Sequence, residues 1–322
     1  MPEVKKTSYD TIRYDVEDAI ATITLARPER MNAFTEQMLE DVVHALDEAD
    51  ADDGVRVVIF TGEGRAYCAG SDLGPASDRF AADEDRAFSM EHDADGGGVL
   101  GRRLFDNAKP VIAAINGPAV GIGLTMTLAM DIRMVSETAK LGFVFARRGI
   151  VPETASAFFL PRIVGISQAA EWMYTGRIFL ADEALRAGLV RSVHAPDDLL
   201  PAARALATEM AQGTSSMSVA LTRRLLWQQL TGAGHPNLAH EMDSEALTFM
   251  GTSGEAAEGI ASFLEKRDAD FPLRLSEDLP DFYARWQTER GGLRPGSADA
   301  SRSYDRLPSE AATNNSGGDT HG

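Results

Sequence analysis

The chain has 322 residues, 44% of them hydrophobic and 25% charged, which is ample for a full core and close to the composition of a globular protein. Its 31 basic and 49 acidic residues give a formal net charge of −18; such a surface disfavours nucleic acid and anionic membranes, and any anionic ligand must find local positive charge. A lone cysteine, Cys68, excludes an intrachain disulfide and, with an N-terminus lacking an apolar signal core, gives a cytoplasmic address as the expectation.

In chain order, Thr11–Val16 and Ala19–Leu25 alternate and are rich in Ile, Thr and Val, so they predict a hairpin across Glu17 and Asp18. Thr35 has the character of an N-cap, with Met38, Leu39, Val42, Val43 and Leu46 at helical spacing behind it. Val55–Thr61 is a continuous apolar run, as expected of a strand covered on both faces. A glycine-rich turn follows, and residues 79–107 read as partly helical, interrupted at Gly96, Gly97 and Gly98. Val111–Ile115 predicts a strand, followed by a turn and a helix to about Met130, then a short strand over Ile132–Val135. No charged residue occurs from Val111 to Met130, a stretch about as long as a bilayer span. Asn116, Gly117, Pro118, Gly121 and Gly123 in its middle argue instead for buried strand, tight turn and buried helix.

Beyond Glu153 the pattern is helical, over about 154–163, 167–174, 182–187, 197–212, 215–230, 238–250 and 254–267. From about Arg290 the chain is polar and rich in Gly, Ser, Asn and Pro, which predicts a flexible tail. Alternating strands and helices followed by a helical block argue for an α/β fold with a helical appendage.

Two glycine-containing turns stand out, though either one alone also reads as a tight turn between packed elements. One is Tyr67–Leu73, soon after the strand at 55–61; the other is Asn116–Leu124, opening a helix. A helix N-terminus leaves amide N–H groups unpaired, and glycine lets a substrate oxygen approach the backbone. Brought together, two such turns can present one N–H each to a single oxygen, an oxyanion hole built from main chain.

The segments RPERMNAF (Arg27–Phe34), AYCAGSDL (Ala66–Leu73), AAINGPAVGIGLTMTLAMDIR (Ala113–Arg133), GIVPE (Gly149–Glu153), LPRIVG (Leu160–Gly165) and FLEKR (Phe263–Arg267) occur in this order. Together they resemble the enoyl-CoA hydratase/isomerase (crotonase) superfamily over roughly residues 10 to 270. The resemblance implies a spiral of ββα units, assigned to residues 1–200, and a helical trimerisation region, assigned to 201–270; residues 271–322, beyond it, are expected to form an extended tail, flexible from about 290. It implies acyl-CoA thioester substrates, no cofactor besides the CoA of the substrate, and a homotrimer or dimer of trimers. Carried over by position, the oxyanion donors are the amides of Ser71 and Ile122. Arg30, Ala66 and Ala69 fall where the family contacts the CoA nucleotide, and Phe263 and Lys266 where a neighbouring subunit completes that site. An ordinary surface cation and a helix-core aromatic are the plainer readings of those last two.

Hydration needs a positioned water and groups that handle its protons. Typical hydratases of the family use two glutamates; Thr125 and Phe145 occupy those positions here. The acid that is present, Glu153, matches that of peroxisomal-type 3-enoyl to 2-enoyl isomerases, and one carboxylate suffices for a 1,3-proton shift. Partial burial beside Ala155, Ala157, Phe158 and Phe159 would raise its pKa, whereas a place in a helix first turn would lower it. A hydratase with non-standard acid/base groups, drawing on Glu153 or on Glu91 and His92, and a catalytically weak CoA-binding assembly subunit are the alternatives. Asp72 and Asp131 read as structural and Cys68 as a buried small residue. The EHDADGGG stretch has no metal-ligand spacing, so no metal is expected. Gly121 and Gly123 lack the rest of a dinucleotide-binding turn, because Met126 stands at its last glycine.

Overall fold

The structure is a computed structural model and describes residues 6–72, 95–231 and 236–288. The predicted hairpin forms between β2 (Ile12–Glu17) and β3 (Ile20–Leu25), preceded by a short β1 (Lys6–Ser8). Its turn is made by Asp18 and Ala19, both with positive φ, one residue later than expected. Thr35 caps α1 (Glu36–Ala51) by accepting the Met38 N–H at 3.1 Å. Then come β4 (Val57–Gly62), α2 (Gly96–Asp106), β5 (Val111–Ile115), β6 (Ala119–Val120) and α3 (Ile122–Thr125).

After α3 the chain makes a 3-10 turn over Met126–Ala129, so the predicted helix to Met130 is a composite. Then follow β7 (Ile132–Ser136), β8 (Lys140–Gly142), α4 (Ser156–Val164), α5 (Ile166–Thr175), β9 (Ile178–Leu180), α6 (Ala181–Arg186) and β10 (Ser192–His194). The helical block consists of α7 (Pro196–Ala211), α8 (Ser216–Thr231), α9 (Pro236–Thr252), α10 (Glu255–Glu265), α11 (Leu275–Asp278) and α12 (Asp281–Thr288).

Seven strands form one sheet in the order β1-β2-β3-β4-β5-β7-β10, and β6-β8-β9 form a second. From β5 onward the chain passes back and forth between the two sheets, with β8 and β9 consecutive in the second, as expected of a spiral. The central strands are parallel, with Ile20 opposite Val57, Val58 opposite Val111 and Ile112 opposite Ile132. Successive side chains point to opposite faces. Ala21, Ile23, Val58, Phe60, Ala113 and Ile115 therefore join one core with α1, while Ile20, Val57, Ile59, Ile112 and Ala114 meet Leu199, Ala203 and Ala207 of α7. The 200/201 division expected between core and helical region falls inside α7, a helix that covers the sheet.

Residues 271–288, expected within an extended tail, instead carry α11 and α12, whose Leu275, Phe282, Tyr283 and Trp286 are buried against Met217, Leu221 and Met242. The segment beyond Arg290 lies outside the described residues. Among the described residues, no helix is long and apolar enough to cross a membrane. The predicted interruption at Gly96–Gly98 is the first turn of α2; the part of that expected helix before residue 95 lies outside the described residues.

Candidate active site

The segment Ala66–Asp72 runs between two others and pairs with both. On one side the Phe34 N–H donates to Gly70 O, and the Asp72 N–H to Phe34 O, both at 2.8 Å. This parallel pattern turns the Ser71 N–H away from Phe34. On the other side the Cys68 N–H donates to Pro118 O and the Val120 N–H to Cys68 O, both at 3.1 Å. The two glycine turns are thus in direct contact. A Cβ at Gly123 would lie 2.0 Å from Cys68 O, so only glycine admits this approach. Ile122 is the first residue of α3, where an amide has no intrahelical acceptor. Neither the Ser71 nor the Ile122 amide has an acceptor among the described residues.

Two asparagines hold these turns. Asn32 accepts from the Arg27 N–H and donates to Glu63 O and Ala66 O; Asn116 accepts from the Gly62 N–H and donates to Gly62 O and Gly64 O. Asp72 takes the guanidinium of Arg27 at 2.8 Å and that of Arg30 at 2.9 Å, which holds its carboxyl below the usual range. It holds the turn as an acceptor, and two side-chain cations are among its partners.

Glu153 is half-buried and stands before α4, not in its first turn as expected. The intervening Thr154 and Ala155 are both left-handed, at φ 59° and 49°, an uncommon conformation for a β-branched residue. The Thr125 hydroxyl meets Glu153 Oε1 at 2.5 Å, and the Thr154 hydroxyl donates to Oε2. Asp95 caps α2 through the Gly98 N–H and also accepts the Thr154 N–H at 3.2 Å. Gly97 lies against the carboxylate: a Cβ there would be 1.8 Å from Glu153 Oε2. Burial pushes the Glu153 carboxyl above the ordinary carboxylate range, the two threonine hydroxyls pull it back, and the negative charge of Asp95 raises it further. Of the two opposing influences read from sequence, desolvation prevails. Thr154, Gly97 and the capping role of Asp95 were not foreseen; the only sequence signal was the glycine triplet.

The other expected residues fall in three places. Arg30 is exposed beside the first turn, Ala66 is buried in it, and the Ala69 N–H donates to Met31 O. Phe263 is 81% exposed on α10, flanked by exposed Ile260 and Leu264, so it is not helix core in this chain; Lys266 ends that helix in a left-handed conformation. Phe145 is buried near Gly121, and Cys68 is buried with its thiol pushed up to about 12, an inert group. Asp131 accepts from the Val111 N–H, Arg223 and the Trp227 indole, which fastens α8 to the sheet. Glu91, His92 and Asp93 lie outside the described residues, and no metal-holding cluster occurs among the described ones.

The sequence pattern of the enoyl-CoA hydratase/isomerase family matches residues 15–274, most of the chain. The chain belongs to the enoyl-CoA hydratase/isomerase family. It is 40% identical over 273 residues to enoyl-CoA hydratase ACTT3 of Alternaria alternata, covering 84% of this chain and 89% of that one. It is 32% identical over 257 residues to 1,2-epoxyphenylacetyl-CoA isomerase of Escherichia coli strain K12, covering 80% and 96%. The crystal structure of enoyl-CoA hydratase from Bacillus anthracis superposes with a TM-score of 0.73 at 29% identity, over 83% of this chain and 100% of that one. The crotonase-like α/β fold is therefore shared. Similar enoyl-CoA hydratase/isomerase chains bear both hydratase and isomerase names, so the family alone does not fix the reaction.

Proposed function

We propose that this enzyme moves a double bond in an acyl-CoA thioester, from 3-enoyl to 2-enoyl, with Glu153 as proton carrier. The observation that carries the reading is that Thr125, the partner of Glu153 Oε1, sits on the same short helix as Ile122. They stand three positions apart, just under one helical turn, so carboxylate and oxyanion amide share one small region. The thioester carbonyl accepts from the Ser71 and Ile122 amides. The Glu153 carboxylate takes a proton from C2, and the C–H electrons pass into the carbonyl, giving a dienolate. The two amides stabilise its oxygen. The dienolate then takes the same proton back at C4, and the double bond is left between C2 and C3. No co-reactant enters, and a raised carboxyl pKa suits a group that must both take and return a proton.

In this reading Arg30, Ala66 and Ala69 line the CoA nucleotide path. Phe263 and Lys266 of one copy complete the site of the next in a homotrimer or dimer of trimers, which would cover the exposed Ile260, Phe263 and Leu264. The hydratase names of similar chains favour a second reading, water addition with Glu153 as its base. Following 3-enoyl-CoA isomerisation beside crotonyl-CoA hydration, in the native enzyme and in Glu153→Gln, separates the two. Isomerisation lost in the variant supports the proposal. Hydration as the main native activity replaces it with the second reading, and isomerisation unchanged in the variant removes Glu153 from it.

A further inference from the structure

Proton return makes a demand on Glu153 that proton capture does not. The carboxylate offers only acceptors, whereas the carboxylic acid has a proton that itself needs an acceptor. Thr125 Oγ is fully buried and has three oxygen neighbours: Glu153 Oε1 at 2.5 Å, Thr154 Oγ at 3.1 Å and Gly121 O at 3.2 Å. One hydroxyl proton cannot serve all three at once. With Glu153 ionised, Thr125 donates to Oε1 and Thr154 to Oε2, so both carboxylate oxygens are satisfied. With Glu153 protonated on Oε1, Thr125 Oγ accepts that proton's bond and its own hydrogen turns to Gly121 O. No heavy atom has to move between the two arrangements.

Resting on the reading of Glu153 as proton carrier, we propose that Thr125 is its positioning residue, reversing its hydroxyl so that both protonation states stay hydrogen-bonded in one geometry. The proton in transit remains on Glu153 throughout, and no bond to Thr125 forms or breaks. Valine at 125 keeps the branched shape and loses the hydroxyl; serine keeps the hydroxyl and loses the methyl. Among the described residues, the titratable groups facing Glu153 are Asp95 from the N-cap of α2 and the Cys68 thiol of the first turn, and neither changes in these variants.

The test compares Thr125→Val and Thr125→Ser with native enzyme on a 3-enoyl-CoA, recording kcat, KM and the pH profile of kcat/KM. Thr125→Val is expected to lose about 10- to 100-fold in kcat, the range for a bond to a charged group, with KM within about twofold. Its acid limb moves to higher pH, because the lost bond is stronger to the ionised form than to the acid. Thr125→Ser is expected to restore both. If Thr125→Val does not fold, Thr125→Ala removes the same hydroxyl without a second methyl near Gly121, and carries the same expectation. Native kcat and pH profile in Thr125→Val, or a serine variant as impaired as valine, overturns the inference. Glu153→Gln run alongside separates the failures: inactive Glu153→Gln with native-like Thr125→Val sinks only the hydroxyl, whereas active Glu153→Gln sinks the proton carrier itself.

Discussion

Between Ala66 and Asp72, and again between Asn116 and Gly123, geometry is fixed mainly by backbone pairing, with the Asn32 and Asn116 carboxamides as pins: each turn donates to and accepts from the other and from neighbouring chain. Around Glu153 the same task falls to side chains, namely the hydroxyls of Thr125 and Thr154 and the bare face of Gly97. The first region offers amides, whose chemistry is the same under almost any side chain. The second offers one carboxylate whose proton affinity depends on each atom that touches it. Sequence change should therefore be tolerated in the two glycine turns, wherever a Cβ fits and the asparagine pins are kept, and not around the acid.

The sharpest test of that contrast is Glu153→Gln, expected to lower isomerisation by about a thousandfold, the order for general acid–base catalysis, with CoA binding kept. Turnover close to native would erase the second region as a functional one. Next comes Gly97→Ala. Its methyl cannot coexist with Glu153 Oε2 and Thr154 Oγ where they stand, so kcat should fall about tenfold or more, as for a displaced catalytic group. A melting temperature near native beside the lost activity would mark displacement, not unfolding.

Stability against pH gives a smaller signal. The folded Glu153 carboxyl lies above its unfolded value, so between the two the folded chain holds more protons and stability falls as pH rises. Glu153→Gln lacks this contribution. Its stability relative to native should grow with pH across that window and then level off, as read from denaturant melts. A gap that narrows instead would contradict the desolvation of the acid. The smallest change is expected from Ser71→Ala: the amide remains, so kcat should stay within about threefold. A loss of several hundredfold with unchanged structure would mean that the hydroxyl takes part, and the contrast between the regions would fail.

Much of the architecture was legible because burial leaves a period. The hairpin at 12–25, the Thr35 cap, the strand after Val55 and the helices from 156 to 265 follow from alternation, capping and amphipathic spacing. The second sheet was not legible: β6, β8 and β9 are two or three residues long, too short for a period to show. Residues 271–288 were misjudged because their apolar residues serve two short helices and make no sustained pattern. At the candidate site, the turns announced themselves through glycine, and Glu153 only through the resemblance of its segment to the family. The setting of the acid did not, since Thr125 and Gly97 come from distant positions and the left-handed backbone at 154 and 155 has no glycine to signal it.

Asn116 invites a last consequence. An asparagine before glycine is the sequence most prone to slow cyclisation and conversion to aspartate, a reaction in which the following backbone nitrogen must reach the side-chain carbon. Here the carboxamide is tethered to Gly62 and Gly64, and Gly117 is wedged against Arg65 O. Folding thus shelters the weakest covalent link of the second turn. A molecule that dwells unfolded ages there, and an aspartate in its place would still accept from Gly62 but could no longer donate to it.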